Sequence, residues 1–243
     1  MGAAFGWGLL AASSLVIGAI AALLVPIDRR LIGLIMGFGA GVLISAISFD
    51  LVEEAVDKGP DKWAPLLGIF AGSLVFFGGD RLISRHGGAD RKDSGGAQED
   101  GSPLAIVLGT VLDGIPESLV IGLTIVEGGA VGTAYLAAVF ISNLPEAISS
   151  TAGLVTSGWQ KSRILWMWIA IALVSGLSSL CGYSLFQDAS ANTVAFVLTF
   201  AAGGILAMLA ETMMPEAYEE GGKLVGIVTT LGFVVAFGIH QLG

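Results

Sequence analysis

The sequence predicts an all-α polytopic membrane protein, and three observations carry the prediction. Hydrophobic residues make up 54% of the 243 and charged residues only 13%, against roughly 25% charged in ordinary soluble domains. Mean hydropathy is +0.84. The apolar residues fall in long runs, not in the short alternating segments of a membrane barrel. A globule of this size could not keep so much apolar surface from water, whereas a bilayer requires it. The same composition excludes a disordered chain, a nucleic-acid binder and a disulfide scaffold. Net charge is −9 with no basic stripe, and Cys181 is the single cysteine, so no intrachain disulfide can form.

Backbone amides in lipid must be satisfied within the helix, so each crossing needs about 20 mainly apolar residues. Eight such runs are read, at 3–25, 31–50, 64–83, 103–125, 131–155, 163–186, 192–214 and 223–242, as one transmembrane domain over 1–243. The first run has no basic leader and is long enough to span, so it reads as a crossing and not as a cleaved signal peptide. The longest polar interruption, 84–102, holds Arg85, His86, Asp90, Arg91, Lys92, Asp93, Glu99 and Asp100 among glycines. It reads as a flexible linker, not as part of a site.

Orientation follows from the basic residues. The odd-to-even turns carry Arg29, Arg30, Arg81, Arg85, Arg91, Lys92, Lys161, Arg163 and Lys223, and the opposite turns only Lys58 and Lys62. Both termini are therefore expected outside, with the 84–102 loop in the cytoplasm. Glycine is abundant, at 36 residues, and Gly33/Gly37, Gly37/Gly41, Gly68/Gly72 and Gly222/Gly226 have the small-xxx-small spacing of close helix packing.

Within the spans, three carboxylates stand out: Asp113 and Glu117 in the fourth and Glu146 in the fifth. An ionisable group at a helix centre costs roughly 2.5–3.5 kcal/mol, so three cost on the order of 8–10 kcal/mol unless compensated. A purely structural role requires a buried cationic partner. With Arg81, Arg163 and Lys223 counted to the turns, no Lys or Arg is left inside a run. Satisfaction is then expected from water, protonation or a metal cation.

The pattern repeats. The fourth span reads Asp113-Gly114-Ile115-Pro116-Glu117 and the fifth Ser142-Asn143-Leu144-Pro145-Glu146. In each, the outer two positions are four apart and share a helix face, and a proline precedes the glutamate, freeing the carbonyl of Leu112 or Ile141. With a short 126–130 turn the two spans form an antiparallel hairpin. Glu117 and Ser142 then lie roughly 12–17 Å from its outer end at 1.5 Å per residue, near the midplane of a core about 30 Å thick. The repeat is inverted, as in transporters with midplane sites. Asp50, with Glu53 and Glu54, marks the outer end of the second span. Glu211, Glu216, Glu219 and Glu220 mark the inner end of the seventh. An acid file from mouth to mouth suits cation passage.

On these residues the sequence resembles the ZIP (Zrt-, Irt-like) metal-ion transporter family, in its bacterial GufA-like branch. The segment Ala210–Gly222 is similar to the family's seventh helix. The resemblance implies eight spans in a 3+2+3 arrangement, divalent-metal uptake toward the cytoplasm across the inner or plasma membrane, and a homodimer. Zinc, iron or manganese is the implied substrate, with no resident cofactor and no nucleic-acid partner. By position it implies Glu117 and Glu146 as shared metal ligands. Asp113 stands where the family has a histidine, Gly114 where it has an asparagine, and Ser142 where it has His or Gln, followed by Asn143. Leu43 falls near a methionine ligand of some members. The resulting site is rich in oxygen, which favours harder cations such as Mn over a strict zinc preference. One site is expected rather than two.

The expected path runs past Asp50, to Asp113, Glu117 and Glu146 assisted by Ser142 and Asn143, and out past Glu211. His86 and His240 are read as solvated or interfacial, and Met213 and Met214 as packing. A proton- or cation-selective channel using the same acids remains the alternative. An intramembrane zinc protease is disfavoured because H-E-x-x-H is absent.

Overall fold

The computed structural model describes residues 1–59, 61–128 and 132–242. Part of the expected turn between the fourth and fifth spans, 129–131, lies outside them. The described residues form ten α-helices and no strand, so the all-α expectation holds. They are α1 (Gly2–Leu24), α2 (Arg29–Ala46), α3 (Glu54–Lys58), α4 (Trp63–Ile83), α5 (Pro103–Gly128), α6 (Thr133–Thr156), α7 (Lys161–Phe186), α8 (Ala191–Met208), α9 (Met214–Gly221) and α10 (Val225–Leu242).

Local chemistry explains several boundaries. Val25 is extended at φ −123° and ψ 126°, because the residue before Pro26 is pushed out of the helical region. The α8 N-terminus is capped by the Ser190 hydroxyl, which accepts from the Thr193 amide. Gly222, at φ 64°, turns α9 into α10 in a conformation that glycine adopts without cost. Two wide π-helical turns, Ile47–Glu53 and Leu209–Met213, join α2 to α3 and α8 to α9. They carry Asp50 and Glu211, and such turns shift side-chain direction within an otherwise continuous helix.

Among the described residues, six segments are long and apolar enough to cross a membrane, the last, Ala191–Leu242, containing α8, α9 and α10. Large apolar side chains such as Leu66, Leu67, Phe70 and Leu74 of α4 point outward, as they do where lipid is the solvent. The molecule is a multi-pass helical membrane protein. α6 is the exception among the long helices. It buries Ser142, Asn143, Glu146, Ser149, Ser150 and Thr151, which places it inside the bundle, against α1 and α2. α5 packs mainly on α7 and touches α6 only lightly. The pairing has an internal symmetry: α2 lies on α10 and α4 on α8, while α9 returns against α2 and α3 against α8.

Glycines set these distances. A Cβ at Gly41 would collide with the Thr229 carbonyl oxygen, and one at Gly232 with that of Phe38, so α2 and α10 are locked by a reciprocal pair. Gly72 and Gly203 do the same for α4 and α8. Gly222 and Gly226, also singled out by their spacing, meet nothing within 4 Å. Gly41→Val is expected to cost ~1–3 kcal/mol through overpacking, read as a lower unfolding temperature in detergent. An unchanged temperature would mean that α2 and α10 do not meet there.

Candidate functional site: a buried cluster of carboxylates and cations

Asp113 and Glu117 project from adjacent turns of α5, and Glu146 from α6. Their exposures are 2%, 2% and 4%. Ser142 and Asn143 are buried one turn before Glu146. The Ser142 hydroxyl donates back to the Val139 carbonyl of its own helix at 3.1 Å. The prolines of the two motifs meet glycines on other helices: Pro145 lies against Gly39 of α2, and Pro116 near Gly204 of α8.

The cations that the spans lack come from the loop. Arg91 is fully buried. Its Nε and Nη2 donate to the two oxygens of Asp113 at 2.9 Å each, the planar fork-on-carboxylate arrangement specific to arginine. Nη2 also lies 2.7 Å from Asp80 Oδ1, at the end of α4, and Nη1 donates to the Gly88 carbonyl at 3.2 Å. Lys92 Nζ bridges the two motif helices, 3.3 Å from Asp113 Oδ2 and 3.1 Å from Glu146 Oε1. Burial works against the Arg91 charge, but Asp113 and Asp80 hold its pKa above the ordinary guanidinium range. Burial likewise opposes the Lys92 charge, which Asp113 and then Glu146 hold above the ordinary ammonium range.

The linker reading of 84–102 is therefore overturned for its central part, and so is the expectation that only water, protons or metal could compensate the carboxylates. The reason is tertiary. Arg91 sits 22 residues before Asp113, and no local pattern links them. The path of the segment is prepared by two glycines: a Cβ at Gly109 would strike the Arg91 side chain, and one at Gly153 the Asp93 carbonyl. Further ties hold it. The Ser149 hydroxyl donates to the Lys92 carbonyl at 2.6 Å, the Ser157 hydroxyl to that of Gly96 at 2.9 Å, and Arg29 to that of Gly95 at 3.2 Å. The Ser94 amide donates to Glu216 at 2.8 Å.

One carboxylate is left out. Glu117 Oε1 is buried with no hydrogen-bond partner, as is the Tyr135 hydroxyl. An unpaired buried acceptor costs about 1–3 kcal/mol, so this oxygen is available to a donor or a cation.

The remaining predicted residues lie at the two ends. Asp50 lines a cavity of about 290 Å³ with Phe49, Glu53, Glu54, Asp57 and His240. His240 Nδ1 is 2.7 Å from Asp50 Oδ1, which corrects the reading of that histidine as merely interfacial. His86 is exposed, its Nδ1 2.8 Å from the Leu82 carbonyl. At the other end Glu211 is exposed and lines a cavity of about 190 Å³ with Lys92, Asp93, Glu216 and Glu219. There Asp93, Glu216 and Glu220 bring carboxylate oxygens within 4.8 Å of one another. Sequence reasoning missed Asp80, Arg91, Lys92 and Asp93. The one available signal was the density of opposite charges at 90–93.

Fold and site define a class: a multi-pass helical membrane protein with a charged cluster buried between its helices and acid-lined cavities at either end. No family profile matches the chain, but two relatives do. One is At3g08650 of Arabidopsis thaliana, whose name provisionally assigns zinc transport. It is 28% identical over 207 residues, 84% of this chain and 33% of that protein. The other is the zinc transporter zipt-7.2 of Caenorhabditis elegans, 32% identical over 109 residues, 43% of this chain and 23% of that protein. The chain thus spans a third or less of the length of these relatives. It is a homologue of proteins named zinc transporters, and the resemblance to the ZIP family read from the motifs is borne out.

Proposed function

We propose that the protein carries divalent metal cations across a membrane, toward the cytoplasm, through Asp113, Glu117 and Glu146. The observation that carries this reading is a cluster of three carboxylates on α5 and α6, one still unpartnered, between two acid-lined cavities. Cargo enters past Asp50 and His240, is bound by the three carboxylates with Ser142 and Asn143 beside them, and leaves past Glu211. Carboxylate oxygens bind hard and borderline divalent cations, and the names of the relatives put zinc first among them. The donor set at Asp113 and Ser142 has no imidazole, which favours Mn, Fe(II) or Co beside zinc.

The membrane arrangement belongs to the same proposal: eight crossings as 3+2+3, both termini outside, in the inner or plasma membrane, with the chain acting as a homodimer and no catalysed reaction. The basic residues on one side and the mirrored pairing of α2 with α10 and α4 with α8 support it. The GufA-like branch remains a reading of the motifs alone. A selective channel uses the same acids, and the kinetics of flux separate the two.

The test is uptake of Zn, Cd, Mn, Fe(II), Co and Mg into liposomes holding the purified protein, beside Glu117→Ala. Saturable uptake at low metal concentration, lost in the variant, is the expected result. Uptake of no metal by either protein would overturn the transport reading, and Cd and Zn outcompeting Mn by orders of magnitude would overturn the oxygen-site preference.

A further inference from the structure

The carboxylates just assigned to cargo hold two cations of the chain itself. Arg91 and Lys92 bring two positive charges to Asp113 and Glu146, with Asp80 at the rim. One divalent ion brings the same two charges. The segment that delivers them is seated, not merely close: Ser149, Ser157, Arg29 and Glu216 hold its backbone, and Gly109 and Gly153 leave it room. Its outer margin is open. Asp90, Lys92 and Asp93 line the cavity that also holds Glu211 and Glu216, so the segment can withdraw along the route by which cargo would leave.

We propose that Arg91 and Lys92 are a tethered surrogate of the divalent cargo: segment 91–96 closes the site when no metal is bound, and one divalent ion exchanges for the pair, charge for charge. The inference rests on the transport reading for the identity of the cargo. The exchange is specific for charge. A single monovalent cation would leave one of the paired carboxylates uncompensated in a medium of low dielectric. Removing one loop cation at a time does the same. A divalent ion also gains the oxygen of Glu117 that neither loop cation reaches. Because the segment is attached at both ends, between α4 and α5, it competes at an effective concentration on the order of millimolar. Metal binding at low external concentration is thereby held in check, and the site is never left as an empty pocket of like charges.

The experiment reads Lys92 directly in the full-length purified protein. Amines are acylated with an N-hydroxysuccinimide ester and quantified by mass spectrometry, with exposed Lys62 and Lys223 as internal references. In metal-free protein, Lys92 is expected to react at least about tenfold more slowly than Lys223, in proportion to the fraction of open segment. Saturating Zn²⁺, Cd²⁺ or Mn²⁺ brings it toward the reference rate, and Na⁺ at matched ionic strength does not. Lys92 reacting as fast as Lys223 without metal, or staying protected under metal that saturates uptake, overturns the proposal.

A second arm uses uptake. The double variant Arg91→Gln, Lys92→Gln removes the competitor, so the apparent KM for metal falls by about tenfold. The charge-preserving exchange Arg91→Lys, Lys92→Arg stays close to the parent. An unchanged KM in the folded double variant counts against the surrogate role. Metal-dependent exposure of Lys92 without uptake of any metal supports the exchange and overturns the transport reading instead, so the two fail separately.

Discussion

Glu117→Gln is expected to cut metal uptake sharply while leaving the folded protein at least as stable as before. Glu117 is 2% exposed and one of its oxygens has no hydrogen-bond partner, so a charge on this side chain bears a desolvation cost. A neutral amide of the same shape carries no charge to desolvate, which lowers that cost. Cargo, in contrast, loses a carboxylate ligand, and a loss of about a hundredfold in uptake is expected, at the upper end of what altering a ligand's support alone produces. Uptake in liposomes and thermal unfolding in detergent, run on one preparation, check the two signs together. A fall of several degrees in unfolding temperature would reveal a structural partner for Glu117 and remove the argument that it waits for cargo.

The opposite effect on stability is expected of Asp113→Asn. Asp113 lies one turn earlier on the same helix and is equally buried, yet it takes both forks of Arg91 and shares Lys92 with Glu146. Removing one partner of a buried ion pair leaves an uncompensated charge and costs about 3–5 kcal/mol. The loss should be visible as a large drop in unfolding temperature. Adding Arg91→Gln to Asp113→Asn should recover part of it, because the surviving cation is then gone as well, and the non-additivity of the double-mutant cycle measures the pairing. A cost below about 1 kcal/mol for Asp113→Asn alone, the level of an exposed pair, would mean that Arg91 does not hold it in the folded protein.

These two residues show where sequence reading reached and where it stopped. Both acids were legible as out of place, because their position depends only on helical spacing and distance along an apolar run. That one is paired and the other is not could not be read, because the partner arrives from a polar loop whose glycines and mixed charges look like a linker. The same holds at the cavity lined by Asp50. Asp50 was legible at the end of its span. His240, its partner at 2.7 Å, is 190 residues away, and α10 brings it there through the close approach of Gly41 to Thr229 and of Gly232 to Phe38. Asp80 went unnoticed for a related reason: near the end of a span an acid is ordinarily solvated, and only the insertion of Arg91 gives it a role.

By itself the sequence determined the helical class, the apolar runs, the two Pro-Glu motifs and the isolated acids within the runs. Each depends on composition or on contacts within a few residues, which the period of the helix and the polarity of lipid translate directly into structure. Only the tertiary structure decided which charges meet. The insertion of Arg91 and Lys92, the seat formed by Gly109 and Gly153, and the turning of α6 into the interior all depend on contacts between elements distant in the chain. Such contacts are selected by shape and charge balance across the whole bundle, and they leave no local period in the sequence.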